Sequence, residues 1–474
     1  MALPRIIQGG MGAGVSSWRL ARAVSMLGHL GVVSGVALDT ILIRRLQLGD
    51  LDGHIKRALD HFPNQNIAQR IYEQYFIAGG KSYAAPFKRA SLWSLCPSME
   101  LQQLTVVANF VEAWLAKEGH KGIVGINYLE KIQLPNLASI YGAMLAGVDY
   151  VLMGAGIPWE IPGILDIFVN HDKSSLKVNV AGADKGDDFS MSFNPREVIG
   201  EISDKLRCPY FLAIIASNTL ALSLKKKSNG KVDGFVIEGP TAGGHNAPPR
   251  GEMILSENGE PIYGEKDVVD LEKIKSLGLP FWLAGSYANR LEEALKEGAA
   301  GIQVGTPFAF CEESGLSPDL KRRALELIRA GKARVYTDSK ASPTGFPFKV
   351  LLLGDTISDE VVYKQRSRIC DLGYLRTVFK REDGSAGYRC PSQPVDVFLA
   401  KSGNLQDAGG HKCLCNALLS NIGLEQIQAI GYREKPLITS GADFSFVAGL
   451  LADLTDNNIE YTAADVIKRI EKYF

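Results

Sequence analysis

Short apolar runs alternate along this chain with segments whose apolar residues recur at helical spacing. Residues 5–8 and 30–34 read as the first two strands, with 16-SSWRLARAVSMLG-28 between them as a helix opened by serine and closed by Gly28. From about 40 to 119 the pattern is mostly helical (41–47, 52–62, 67–76 and 99–119), broken by a loop around Gly79–Pro86. That is too long for an ordinary βα connection, so it predicts an inserted lid or a packing helical layer. Further strands are predicted over 122–127, 149–156 and 209–217, with helices near 136–147 and 219–227 and a small hairpin over 175–195. Strands at 234–238, 280–286 and 301–306 complete the rhythm, and 291–300 reads as a helix stopped by Gly298. Strand and helix in strict alternation predict an α/β fold with a parallel sheet. From about 316 the composition changes: helix 319–332, then Pro- and Gly-rich sequence to about 411, then helical pattern at 413–431 and 456–474.

Chemistry gathers where the last three strands end. The run 234-GFVIEGPTAGGHNAPPRG-251 leaves an apolar strand for Gly243-Gly244-His245. Adjacent glycines let backbone approach a ligand closely, and a histidine behind them exchanges protons near neutral pH. A glycine-rich turn that merely contains a histidine gives the same pattern. The next two strands also run into glycine, at Ala284-Gly285-Ser286 and Gly305-Thr306. Three such strands in order favour the ligand-binding rim of a β/α enzyme, where backbone N–H groups and hydroxyls hold phosphate.

Taken together, 6-IIQGGMGAGVS-16, 125-GINYL-129, the AGGH at 242–245, the AGS at 284–286 and the QVGTPF at 303–308 resemble the nitronate monooxygenase (2-nitropropane dioxygenase-like) family of FMN-dependent TIM barrels. The resemblance covers roughly residues 1–40 and 105–315. It implies a (β/α)8 barrel formed by those residues, with a helical insert over 41–104 and a mainly helical C-terminal cap over 316–474. It also implies FMN. Gly285, Ser286, Gly305 and Thr306 would form the phosphate nest, with Gly243 and Gly244 beside the ribityl chain or phosphate. Gly9, Gly10, Met11 and Gly12 would line the isoalloxazine, and Asn127 would stand near the ring. Ser217 and Gln303 either point into the site or are satisfied core polar groups. His245 is the expected catalytic residue, as a base toward a nitroalkane or a donor to a substrate oxygen. The long segments outside the family core match a longer subgroup, so three activities are in view. They are an oxygenase turning alkyl nitronate and oxygen into a carbonyl compound and nitrite, an NAD(P)H-dependent reductase of enoyl thioesters, and a flavin-binding partner protein of a synthase complex. An exposed apolar patch on 99–119 or 456–474 would favour the last.

Composition narrows the partners. Lys+Arg and Asp+Glu are equal at 52 each, which gives no general attraction to nucleic acid or anionic membrane. The chain enters a strand directly, without a signal-peptide core, and no apolar run is long enough to span a bilayer. With seven cysteines, an odd number, a disulfide framework is not expected. The expectation is a cytoplasmic protein with a small-molecule substrate and no nucleic-acid or membrane partner, a homodimer being left open. Cys370, Cys390, Cys413 and Cys415 fall together with 19, 22 and 1 residues between them. They read as buried reduced thiols, as zinc or iron–sulfur ligands, or as a redox pair whose Cys-Leu-Cys opens a helix that lowers thiol pKa. Lys225–Lys227 is a helix C-terminus. Arg250 is either a surface residue or an attractor for an anionic substrate.

Overall fold

The computed structural model describes residues 3–454 and 459–472. Eight parallel strands form the central sheet: β1 (Ile6–Gln8), β2 (Gly31–Ser34), β3 (Val124–Leu129), β4 (Tyr150–Gly154), β5 (Tyr210–Ile215), β6 (Gly234–Glu238), β7 (Phe281–Ala284) and β8 (Gly301–Val304). Each pairs with the next from β2 to β8, and β8 pairs back with β1 through Ile6–Ile302 and Gln8–Val304. The Ile7–Leu30 bridge joins β1 to the start of β2, and Gln8 N–H donates to the Leu30 carbonyl at 2.9 Å. The sheet therefore closes into the expected TIM (β/α)8 barrel.

Both faces of these strands are buried, which is why they read as near-continuous apolar runs. One set of side chains fills the barrel: Ile7, Val32, Leu152, Leu212, Val236 and Trp282 belong to one packed cluster. Trp282 places its indole N–H 2.6 Å from the Pro4 carbonyl, so the large ring is buried without an unpaired donor. The other set packs under the helices in a cluster that runs on into the C-terminal region.

The segment 41–104 is a packing layer and not a lid: helices Leu38–Gln47, His54–Leu59 and Gln65–Tyr75 lie outside the barrel, and none of its residues reaches the central cavity. Helix Met99–Lys117 is capped by Ser98, whose hydroxyl accepts from Leu101 N–H at 3.2 Å. Its buried Glu112 takes Trp18 N–H at 2.9 Å and Arg45 at 3.0 Å, tying helix, barrel and insert together. The predicted hairpin is present as Ser174–Lys177 against Ser190–Phe193.

The C-terminal region departs from expectation. It carries antiparallel pairs, Val335–Asp338 with Phe348–Leu351 and Thr377–Lys380 with Ala386–Arg389, so it is mixed and not mainly helical. The pattern at 413–431 yields only helix Leu414–Ser420, because Gly423 and Gly431 adopt positive φ and stop any continuation. Helix Ser445–Ala452 follows, and a last helix spans Ala463–Lys472. The ends of the predicted 456–474 segment, at 456–458 and 473–474, lie outside the described residues.

Candidate active site

A cavity of about 230 Å3 opens at the C-terminal ends of the strands. A single water needs on the order of 10–15 Å3 of such space, so this one admits an organic ligand. Gly9, Gly10, Met11 and Gly12 line it beyond β1, Asn127 from β3, and Gly243, Gly244 and His245 beyond β6. Gly285 and Ser286 enter after β7, and Gln303, Gly305 and Thr306 from β8 and its turn. Ser217 does not reach it. Its hydroxyl caps helix Asn218–Lys227, accepting Leu220 N–H at 3.0 Å, and the residue lines a neighbouring cavity instead.

The turn after β1 is pinned by Ser16, whose Oγ accepts Met11 N–H at 2.9 Å and donates to the Gly9 carbonyl at 3.0 Å. Gly10 is required there by contact: a Cβ would stand 2.4 Å from Cβ of Asn127. After β7 the chain makes a left-handed turn, with φ +80° at Gly285 and +60° at Ser286. That conformation is strained for serine, and it is held here on the cavity wall. Ser286 Oγ and Gln303 Oε1 are both buried without a hydrogen-bond partner. Each such group costs roughly 1–3 kcal/mol unless something satisfies it. A hydroxyl donor and an amide acceptor on the wall of one cavity, which Thr306 also lines, suit a ligand with a phosphate at one end and N–H or O–H donors along its body. The residues present therefore fit FMN. Ser286→Ala is expected to weaken FMN binding about tenfold, since one hydrogen bond to a charged group is lost. A fluorescence titration reads this directly, and an unaltered Kd would move the phosphate away from this turn.

The C-terminal region completes the wall, which the sequence did not suggest. Thr439 Oγ1 accepts Gly244 N–H at 2.8 Å, and Thr306 Oγ1 accepts Gly441 N–H at 2.9 Å. The Gly244 amide is thus committed to protein and is not available to a phosphate, while the Thr306 hydroxyl proton remains free to donate. Segment 439–442 bridges the turns after β6 and β8, and its residues 439–441 form part of the cavity wall.

His245 is held from the same side. Its backbone bridges to Phe348, its Nε2 lies 2.7 Å from Ser342 Oγ, and its ring meets that of Phe348 edge-on at 4.7 Å. Burial first, and the Lys131 ammonium second, push its pKa well below the usual imidazole value. The ring is therefore neutral at pH 7, the form a base requires. Two more groups belong to this site and were not singled out from the sequence. Glu238 ends β6 on the cavity wall, and burial raises its carboxyl to about 7, against the pull of Lys131. Lys131 lies over the Phe346 ring at 4.1 Å with its Nζ unpartnered, and burial lowers it to about 7. Glu238 was visible as a lone carboxylate ending an apolar strand just before the glycine turn. Lys131, Ser342 and Thr439 sit in segments without any motif.

The cysteine cluster takes a plain form. Cys370, Cys390, Cys413 and Cys415 are free thiols, and no group of three or more His, Cys, Asp and Glu among the described residues is placed to hold a metal ion. Cys413 caps helix Leu414–Ser420, but burial outweighs the helix end and drives its thiol pKa up, not down. Burial likewise pushes Cys415 up to about 12. The two segments whose exposure would have favoured a partner protein are packed: helix Met99–Lys117 is buried along most of its length, and Val466, Ile467 and Ile470 of the last helix face the core. Among the described residues no helix is long and apolar enough to cross a membrane.

Residues 174–337, which include β6, β7 and β8, match the family model described as nitronate monooxygenase. The match bears out the resemblance read from the motifs. A probable nitronate monooxygenase of Bacillus subtilis (strain 168) is 28% identical over 144 residues, 30% of this chain and 38% of that protein. A (3aS,4S,5R,7aS)-5-hydroxy-7a-methyl-1-oxo-octahydro-1H-indene-4-carboxyl-CoA dehydrogenase of Mycobacterium tuberculosis is 26% identical over 140 residues, 29% of this chain and 35% of that protein. The matched stretch is thus well under half the length of either curated relative. Among solved structures, the enoyl reductase domain of MlnA from the macrolactin biosynthesis cluster of Bacillus amyloliquefaciens is similar over 100% of this chain and 94% of that one. Its identity is 10% and its TM-score 0.47.

Proposed function

We propose that this protein is an FMN-dependent oxidoreductase of the nitronate monooxygenase type, converting an alkyl nitronate and oxygen to a carbonyl compound and nitrite. The observation that carries this reading is the pair of unpartnered polar atoms, Ser286 Oγ and Gln303 Oε1, on the wall that also presents His245. Bound there, FMN supplies the electron transfer between substrate and oxygen. The protein's own groups do the rest. Ser286 and Thr306 hold the phosphate, and Asn127 and Gln303 orient the ring system. Neutral His245 takes the α-proton when a nitroalkane is offered in place of its nitronate. Protonated Glu238 donates a hydrogen bond to an anionic nitro oxygen, which it can do only while its carboxyl keeps the proton. Segment 439–442 keeps water from the reacting atoms.

A second reading, an NAD(P)H- and FMN-dependent enoyl thioester reductase, draws on two observations: Glu238 is a carboxyl still protonated near pH 7, suited to protonate a carbanion, and one relative acts on a CoA-linked compound. One anaerobic experiment separates the two. The FMN-loaded protein is mixed with ethyl nitronate, NADH or NADPH separately, and its visible bands are followed. Reduction by nitronate alone supports the oxygenase. Prompt bleaching by a nicotinamide, with nitronate inert, overturns it in favour of the reductase.

A further inference from the structure

A second cavity, of about 260 Å3, adjoins the first. Ala155, Ile214, Glu238 and His245 line both, so the two spaces meet at the residues proposed to handle protons. The outer cavity runs between the loop after β4, the start of helix Asn218–Lys227 and the segment that follows His245. Its walls are largely carbon: Ile157, Ile215, Leu220, Pro240, Pro248 and Phe346. Ile157 lines this cavity and stands 46% exposed. The polar groups nearest its mouth are already engaged. Arg250 Nη2 donates to the Ala216 carbonyl at 3.0 Å, and Tyr263 Oη donates to the Ala247 carbonyl at 3.0 Å. The cavity thus offers mainly apolar contact area, with Asn246 Oδ1 the one buried acceptor in its lining left unpaired, which favours a mainly hydrocarbon arm over a polar ligand.

We infer that this second cavity binds the hydrocarbon arm of an extended substrate whose reacting end lies in the central cavity against Glu238 and His245. The inference rests on the reading of the central cavity as the place where flavin and reacting group meet. It gives the protein a chain-length preference, because each methylene that leaves water tightens binding about three- to fourfold.

The test uses the full chain loaded with FMN and straight-chain alkanoates of increasing length, whose carboxylate stands in for the nitronate group and which bind without turnover. Their dissociation constants are read by titration calorimetry. The expected result is a Kd falling about threefold per added methylene until the chain reaches solvent. Leu220→Trp, which fills the outer cavity, should flatten that dependence. Ile157→Ser, a surface change that leaves the fold intact, should weaken the longest ligands severalfold. A Kd independent of chain length, or a length dependence that survives both variants, would overturn the inference. Should the protein take up no FMN, the central reading fails on its own. The same titration on the flavin-free chain then judges the outer cavity separately, and the same two results would support or overturn it.

Discussion

Replacing His245 with alanine should leave FMN bound and the fold intact while slowing turnover of a neutral nitroalkane by about 10² to 10⁴. In the proposed site Ser286 and Thr306, not the imidazole, would hold the phosphate, so flavin retention is expected to be unchanged. Its pKa, lowered by burial and by Lys131, keeps the ring unprotonated across the neutral range. Wild-type activity should therefore fall only well below pH 6.5, as the ring takes a proton, and the alanine variant should lose that acid limb. A preformed nitronate needs no proton removed, so its oxidation should suffer much less. Steady-state rates on nitroethane and ethyl nitronate compare the two cases. Equal losses on both substrates would mean that His245 shapes the cavity without acting as a base.

A second large effect is expected at Glu238. Its carboxyl is raised to about 7, so it is protonated below that pH and ionised above it. An ionised Glu238 both loses its donor and repels an anionic nitronate. KM for ethyl nitronate should then rise about tenfold per pH unit above 7, the slope of a single ionisation. Glu238→Gln keeps an N–H donor of similar reach and cannot ionise. Its KM should stay flat, leaving the variant about 10² better than wild type in KM at pH 9. Lys131→Met should raise the Glu238 pKa further, because the ammonium is the charge that favours ionisation. A Gln variant that follows the wild-type profile would remove Glu238 from substrate binding.

The barrel was legible because each strand is an apolar run, six of the eight ended by glycine, and helical segments alternate with them, a pattern set by local chemistry. Gly10 against Asn127 and the left-handed Gly285-Ser286 turn explain why those positions read as a ligand rim. What was not legible is non-local. Thr439 and Ser342 act on Gly244 and His245 across 195 and 97 residues of chain, and nothing in their own neighbourhoods marks them. The choice between a lid and a packing layer for 41–104 stayed open in the sequence for the same reason: helical spacing reports one buried face, not which surface it meets. Ser217 went astray because a serine ending a strand is equally well placed to cap the helix that follows. Only the redox-pair alternative for the thiols rested on the helix end, where complete burial of Cys413 dominates.

The central claim is that the cavity above the barrel is a flavin site, and a titration of the purified protein with FMN tests it most directly. The account predicts saturable quenching of flavin fluorescence with one FMN per chain, a visible spectrum perturbed from that of free FMN, and a weaker Kd in Ser286→Ala. A well-folded protein that neither carries FMN nor quenches it on titration would contradict the account.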